Sequence, residues 1–149
     1  MRIATVIVGT LALSFAASAA DPFVGTWKLD PERSGISDGR SLKYEAIPNG
    51  YRIAHSRPSE ASTDETLILD GKDHPAAGLR IVVNTGADAY SARRIDDHTL
   101  EVLYKRGGKT LVTQRREVSA LGRVLSNGGE ALSKDGQKVQ YRPIVFNKQ

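Results

Sequence analysis

The chain has 149 residues, 21 Lys plus Arg against 17 Asp plus Glu, a formal net charge of +4, and no cysteine. That length is enough for one domain to bury a core without covalent staples. The absent thiols exclude disulfides, thiolate catalysis and a lipidated N-terminal cysteine. The mild charge, with basic residues spread among acidic ones, argues against a nucleic-acid partner.

Residues 1–20 read as a secretory signal peptide. Arg2 supplies a minimal positive start, residues 3–15 are mostly apolar, and residues 16–20 are small, with the simplest cleavage before Asp21. The apolar run is too short to span a bilayer comfortably, so it is not read as an anchor. The expected mature chain, residues 21–149, is one domain, exported to the periplasm or outside the cell, with no stable membrane insertion.

Beyond residue 20 no stretch keeps a 3.6-residue apolar period. Short alternating runs broken by turn residues dominate instead, which is the pattern of an all-β chain. The first run is residues 24–29. Residues 31–39 hold a Pro and two Gly and read as a loop with room for one helical turn. Runs 42–46 and 51–55 flank Pro48-Asn49-Gly50, a hairpin turn. Residues 57–64, with Pro58, read as a loop. Strands follow at 65–69, 79–84, 89–95, 98–106, 110–118, 123–126 and 139–146. Their turns are placed at 70–73, Asp96-Asp97, Gly107-Gly108 and 134–136. Such short spacing favours a single antiparallel up-and-down barrel of about 8–10 strands, whose closure removes exposed sheet edges.

Phe23-Val24-Gly25-Thr26-Trp27-Lys28-Leu29 resembles the opening of fatty-acid-binding proteins, and Gly25-x-Trp27 is similar to the lipocalin signature. The chain also resembles a group of small secreted bacterial lipocalin-like proteins of unassigned function, in Asp70-Gly71-Lys72-Asp73-His74-Pro75 and Arg93-Arg94-Ile95-Asp96-Asp97. The resemblance implies a calycin barrel with an internal site. It also implies that Gly25, Trp27 and a late arginine, Arg142, close the barrel base, with the guanidinium of Arg142 (or Arg116) lying on the indole within about 6 Å. Three features depart from it, one being the absence of the second lipocalin motif, Thr-Asp-x-Tyr, which Asp88-Ala89-Tyr90 resembles only loosely. The Arg-x-Tyr pair that holds a fatty-acid carboxylate is replaced by adjacent Tyr141-Arg142, which point to opposite faces of a strand. The segment after the first strand is too short for a two-helix lid.

Period-two parity groups the candidate interior residues. Leu42, Tyr44 and Ala46 share a face, as do Tyr51, Ile53 and His55. His98, Leu100, Val102 and Tyr104 form another stripe; Val112, Gln114, Arg116 and Val118 a mixed one; Val139, Tyr141, Pro143 and Val145 the last. If these faces point inward, Tyr44, Tyr51, His55, Tyr104, Gln114, Arg116 and Tyr141 are the candidate ligand contacts, a few polar groups in an apolar lumen. The alternative is a barrel packed solid by its own side chains. Arg116 is the sharpest candidate, because a charge on an apolar face needs a counter-ion. The simpler expectation is that Arg115 is the inward one and pairs with Glu101 or Glu117, or that the strand is simply solvated. His55, His74 and His98 lack metal-ligand spacing, no nucleophile motif surrounds any Ser, and no cofactor is implied. The leading expectation is an exported, non-enzymatic barrel that binds a small apolar or amphipathic molecule. The runner-up is a filled barrel serving as a protein-interaction or envelope-structural module, and a weaker third is a small hydrolase or isomerase.

Overall fold

The computed structural model describes residues 19–77 and 80–149; the stretch 1–20 that reads as a signal peptide lies outside the described residues except for its last two. The elements are β1 (Gly25–Leu29), α1 (Pro31–Ser34), β2 (Ser41–Ile47), β3 (Gly50–Arg57), β4 (Glu60–Ile68), β5 (His74–Pro75), α2 (Arg80–Thr85), β6 (Ala89–Asp96), β7 (Thr99–Arg106), β8 (Lys109–Val118), β9 (Val124–Leu132) and β10 (Lys138–Lys148). All ten strands form one antiparallel sheet in the order β4-β3-β2-β1-β10-β9-β8-β7-β6-β5. The sheet curls into a nearly closed up-and-down barrel, as the alternating runs implied. Its first strand pairs with its last, Trp27 opposite Lys148. The seam between β4 and β6 is bridged rather than laddered: the Ile68 amide donates to the Tyr90 hydroxyl at 3.2 Å, and the Gly71 amide to the Ala92 carbonyl at 2.9 Å.

Local chemistry sets the hairpins. Between β2 and β3 the turn is Pro48-Asn49, with Asn49 in the left-handed region at φ 58°. Gly50 then begins β3 for a packing reason: a Cβ there would lie 1.9 Å from the Leu67 carbonyl oxygen of β4. Asp30 caps α1 by accepting from the Arg33 amide at 3.0 Å, with Pro31 as its first residue. This one-turn helix fills the place where room for a helical turn was expected.

The structure corrects several sequence expectations. Residues 79–84 were read as a strand; the described part, Arg80–Thr85, is helical. A helix there satisfies its own backbone groups without a partner strand, and β6, the strand it leads into, is already paired by β5 and β7. The loop expected at 57–64 shrinks to Pro58-Ser59, and β4 starts at Glu60. Pro58 sits where the turn needs no amide, and the polar start of β4 is exposed beyond the core, held by its ladder with β3. β9 runs on to Leu132, and β5 forms at His74–Pro75, where a turn had just ended. In β10 a bulge between Tyr141 and Ile144 breaks the parity. Pro143 is therefore exposed and Phe146 buried, while Val139, 52% exposed, lies ahead of the bulge near the start of the strand. A bulge suits Pro143, which has no amide for the ladder. Ala46 is exposed, so its stripe ends at Tyr44.

The core fills one end of the barrel. Phe23, Tyr44 and Tyr51 pack with ring centroids 5.6–6.0 Å apart, above Trp27, Ile53, Leu67, Leu100 and Leu125, all buried. The Trp27 indole donates to the Phe23 carbonyl at 2.9 Å. The cation over the indole is Lys148, its Nζ 5.0 Å from the ring centroid, and not Arg142. Gly25 makes this possible: a Cβ there would meet the Lys148 Cε at 2.8 Å, so the missing side chain is the channel for the lysine stem. Arg142, beyond the bulge, instead donates to the Arg33 carbonyl at 3.1 Å at the end of α1. Arg94 covers the base from outside. It lies 5.8 Å from both the Phe23 and Tyr51 ring centroids and bonds the Tyr51 hydroxyl and Asp21.

Candidate functional site

Above the aromatic base the barrel is hollow. A cavity of about 480 Å3 opens at the end that carries the β1–β2, β3–β4 and β5–β6 connections. Its mouth is ringed by Arg40, Arg57, Glu60, Ile81 and Asn84, so α2 stands beside the entrance. The mouth charges pair among themselves: Asp38 bridges Arg40 at 2.5 Å and Arg57 at 3.4 Å, and Arg57 meets Glu60 at 3.2 Å.

The wall is built by alternation. β8 turns Gln114 and Arg116 inward and Arg115 outward, where Arg115 pairs with Glu117. The simpler reading of this strand is thereby corrected: Arg116 is the inward arginine, and it is 3% exposed. Its counter-ion is Glu65, 6% exposed, on β4. The pair crosses the lumen between strands that lie on opposite sides of the sheet order, with N···O distances of 3.0–3.3 Å.

Every donor of Arg116 is committed. Nε donates to the Gln114 side-chain oxygen at 2.7 Å. One terminal nitrogen reaches the Tyr44 hydroxyl at 3.2 Å and Glu65 at 3.3 Å; the other reaches Glu65 at 3.0 Å and the Tyr104 hydroxyl at 3.2 Å. A guanidinium has five N–H groups, so none is left over. The carboxylate is equally full. Besides Arg116 it accepts from the Tyr104 hydroxyl at 2.9 Å and from His55 Nε2 at 3.1 Å. Burial alone would push the Glu65 carboxyl up, but the Arg116 charge and the His55 hydrogen bond outweigh it and hold it well below the usual carboxylate range. Burial, with the adjacent Glu65 charge, raises the Tyr104 hydroxyl well above the ordinary phenol value. Both groups therefore keep their neutral-pH states, an ionised acid and a protonated phenol.

Of the seven ligand-contact candidates, His55, Tyr104, Gln114, Arg116 and Tyr141 line this one cavity. Tyr44 lies in the core beneath it and touches the site through Arg116. Tyr51 belongs to the base, where its hydroxyl donates to Asp21 at 2.5 Å. Tyr141 faces in with its hydroxyl on the Gly128 carbonyl at 2.9 Å. Glu65 and Asn127 were not singled out from the sequence. Glu65 carried a legible signal, a carboxylate two residues from Leu67 on one strand face. Asn127 sits opposite Arg116 on β9, in the part of that strand the sequence did not reveal. Its side-chain oxygen is buried without a hydrogen-bond partner. Among the described residues no cluster of His, Cys, Asp or Glu is arranged to hold a metal.

A ten-stranded antiparallel barrel with its lumen hollow at one end has the fold of the fatty-acid-binding-protein-like calycins. Among solved structures it is similar to a secretory abundant heat soluble protein of Ramazzottius varieornatus (TM-score 0.58, 10% identity, covering 88% of this chain and 98% of that one). It is similar to zebrafish ileal bile-acid-binding protein complexed with cholic acid (TM-score 0.57, 14% identity, 86% and 98% covered). It is also similar to a Schistosoma mansoni fatty-acid-binding protein in complex with arachidonic acid (TM-score 0.56, 11% identity, 89% and 98% covered). Comparison of the sequence with protein-family models and with curated proteins gives no match.

Proposed function

We propose that this chain is an exported barrel that binds a small amphipathic molecule in its lumen and holds it without chemistry. The observation that carries the reading is the cavity itself: about 480 Å3, closed below by an aromatic floor and open at the α2 end. That volume falls within the roughly 300–1,000 Å3 of small-molecule sites. Each buried methylene of a ligand would contribute about 0.8 kcal/mol, so an alkyl chain supplies the affinity and the few polar groups its orientation. The bile-acid and fatty-acid complexes of structurally similar barrels support binding of an apolar molecule in general. The filled-barrel alternative describes only the base, where Phe23, Tyr44 and Tyr51 interlock. Export rests on residues 1–20 and is part of the proposal.

Native mass spectrometry of the protein purified from its own source tests it. The expected result is an adduct of lipid mass that dissociates on activation. Repeated absence of any adduct, with no rise in melting temperature on adding long-chain lipids, would refute it.

A further inference from the structure

The lumen holds an arginine, yet that arginine has nothing left to offer a ligand. Its five N–H groups are taken by Gln114, Tyr44, Tyr104 and Glu65. Glu65 stands where a ligand carboxylate would have to stand, and it satisfies the arginine at 3.0 Å. The lumen is therefore electrically balanced before any ligand enters. A fatty-acid anion would bring a second negative charge into a low-dielectric space with no uncommitted cation beside it, at the desolvation cost of a buried unpaired charge. The mouth offers no rescue, since Arg40 and Arg57 are already engaged with Asp38 and Glu60.

We propose that the cavity selects uncharged amphiphiles over anionic ones of equal chain length, because Glu65 acts as a built-in counter-ion that occupies Arg116. The inference rests on the lumen-binding reading above and names its ligand class. Affinity comes from the alkyl chain, and the Glu65–Arg116 pair excludes acids.

The test uses the delipidated protein loaded with Nile red, an uncharged fluorescent probe, displaced in turn by hexadecanol, ionised hexadecanoate and methyl hexadecanoate. At about pH 8 hexadecanol and methyl hexadecanoate should both bind, with hexadecanoate at least roughly tenfold weaker than either from the unpaired buried charge. Glu65→Gln should invert the charge preference, since it frees Arg116 for the acid. If Glu65→Gln does not fold, the wild-type order decides alone. Hexadecanoate binding as tightly as hexadecanol to the wild-type protein would overturn the selectivity and leave lumen binding intact. Failure of Nile red and all three lipids to bind would remove the underlying reading, and this inference with it.

Discussion

Replacing Arg116 with Met should be among the most damaging single changes to this barrel. Methionine matches the arginine stem, so little volume is lost, but it strands the Glu65 carboxylate at 6% exposure with only Tyr104 and His55 as partners. Breaking a buried ion pair from one side costs about 3–5 kcal/mol. Against a total stability of about 5–15 kcal/mol for a single domain, that is from about a fifth to nearly all of it. The pair also links β8 to β4 across the lumen, so its loss weakens the side of the barrel where β4 and β6 share no ladder. Urea unfolding followed by the fluorescence of Trp27 reads this directly, because it is the single tryptophan of the chain and fully buried. The double variant Glu65→Leu with Arg116→Met removes both charges and should regain most of the loss, since apolar replacement of a buried pair is often neutral. Acid supplies an independent check. The Glu65 carboxyl is held down in the folded state. Its stabilising contribution is thus complete above the ordinary carboxylate pKa of about 4.3 and is lost as the pH falls through the lowered folded value. The double variant should lack that part of the acid sensitivity. An Arg116→Met loss below about 1 kcal/mol, or a double variant no more stable than the single one, would refute the assignment of a buried, mutually dependent pair.

Three further outcomes follow from other contacts. Gly50→Ala should cost about 1–3 kcal/mol in urea unfolding, because its new methyl would lie 1.9 Å from the Leu67 carbonyl oxygen and must push β3 off β4. Lys148→Met should shift the Trp27 emission and cost about 0.5–1 kcal/mol by removing the cation from the indole face, whereas Arg142→Ala should leave that emission unchanged. Ile81→Trp should narrow the cavity mouth and slow the uptake of Nile red in stopped-flow mixing, with little change in stability because the side chain stands beside the opening.

The strands were legible wherever apolar and polar residues alternate over a half-buried sheet. β7 is the cleanest case: Leu100, Val102 and Tyr104 point inward as their spacing implies. β8 was legible as a strand, but the choice between Arg115 and Arg116 was not, because the two are adjacent and each has an acidic partner available on paper. Only the fold reveals that Glu65, fifty-one residues away, waits inside for Arg116. Residues 80–85 misled because Ile81, Val82 and Val83 favour strands intrinsically, a local preference that the tertiary setting readily overrides. The Gly25-x-Trp27 opening was read as a closure device. That reading pointed to the barrel base, but the closing cation is Lys148 rather than Arg142, since the bulge after Tyr141 carries Arg142 away to α1.

By itself, then, the sequence determined the all-β class, the up-and-down order and most inward faces. These depend on local periodicity and turn chemistry, which act within a few residues along the chain. Only the tertiary structure decided that the barrel is packed at its base and hollow at its mouth, and that Arg116 is neutralised from within. Both follow from which side chains meet across the lumen, and such meetings depend on register and bulges accumulated over ten strands.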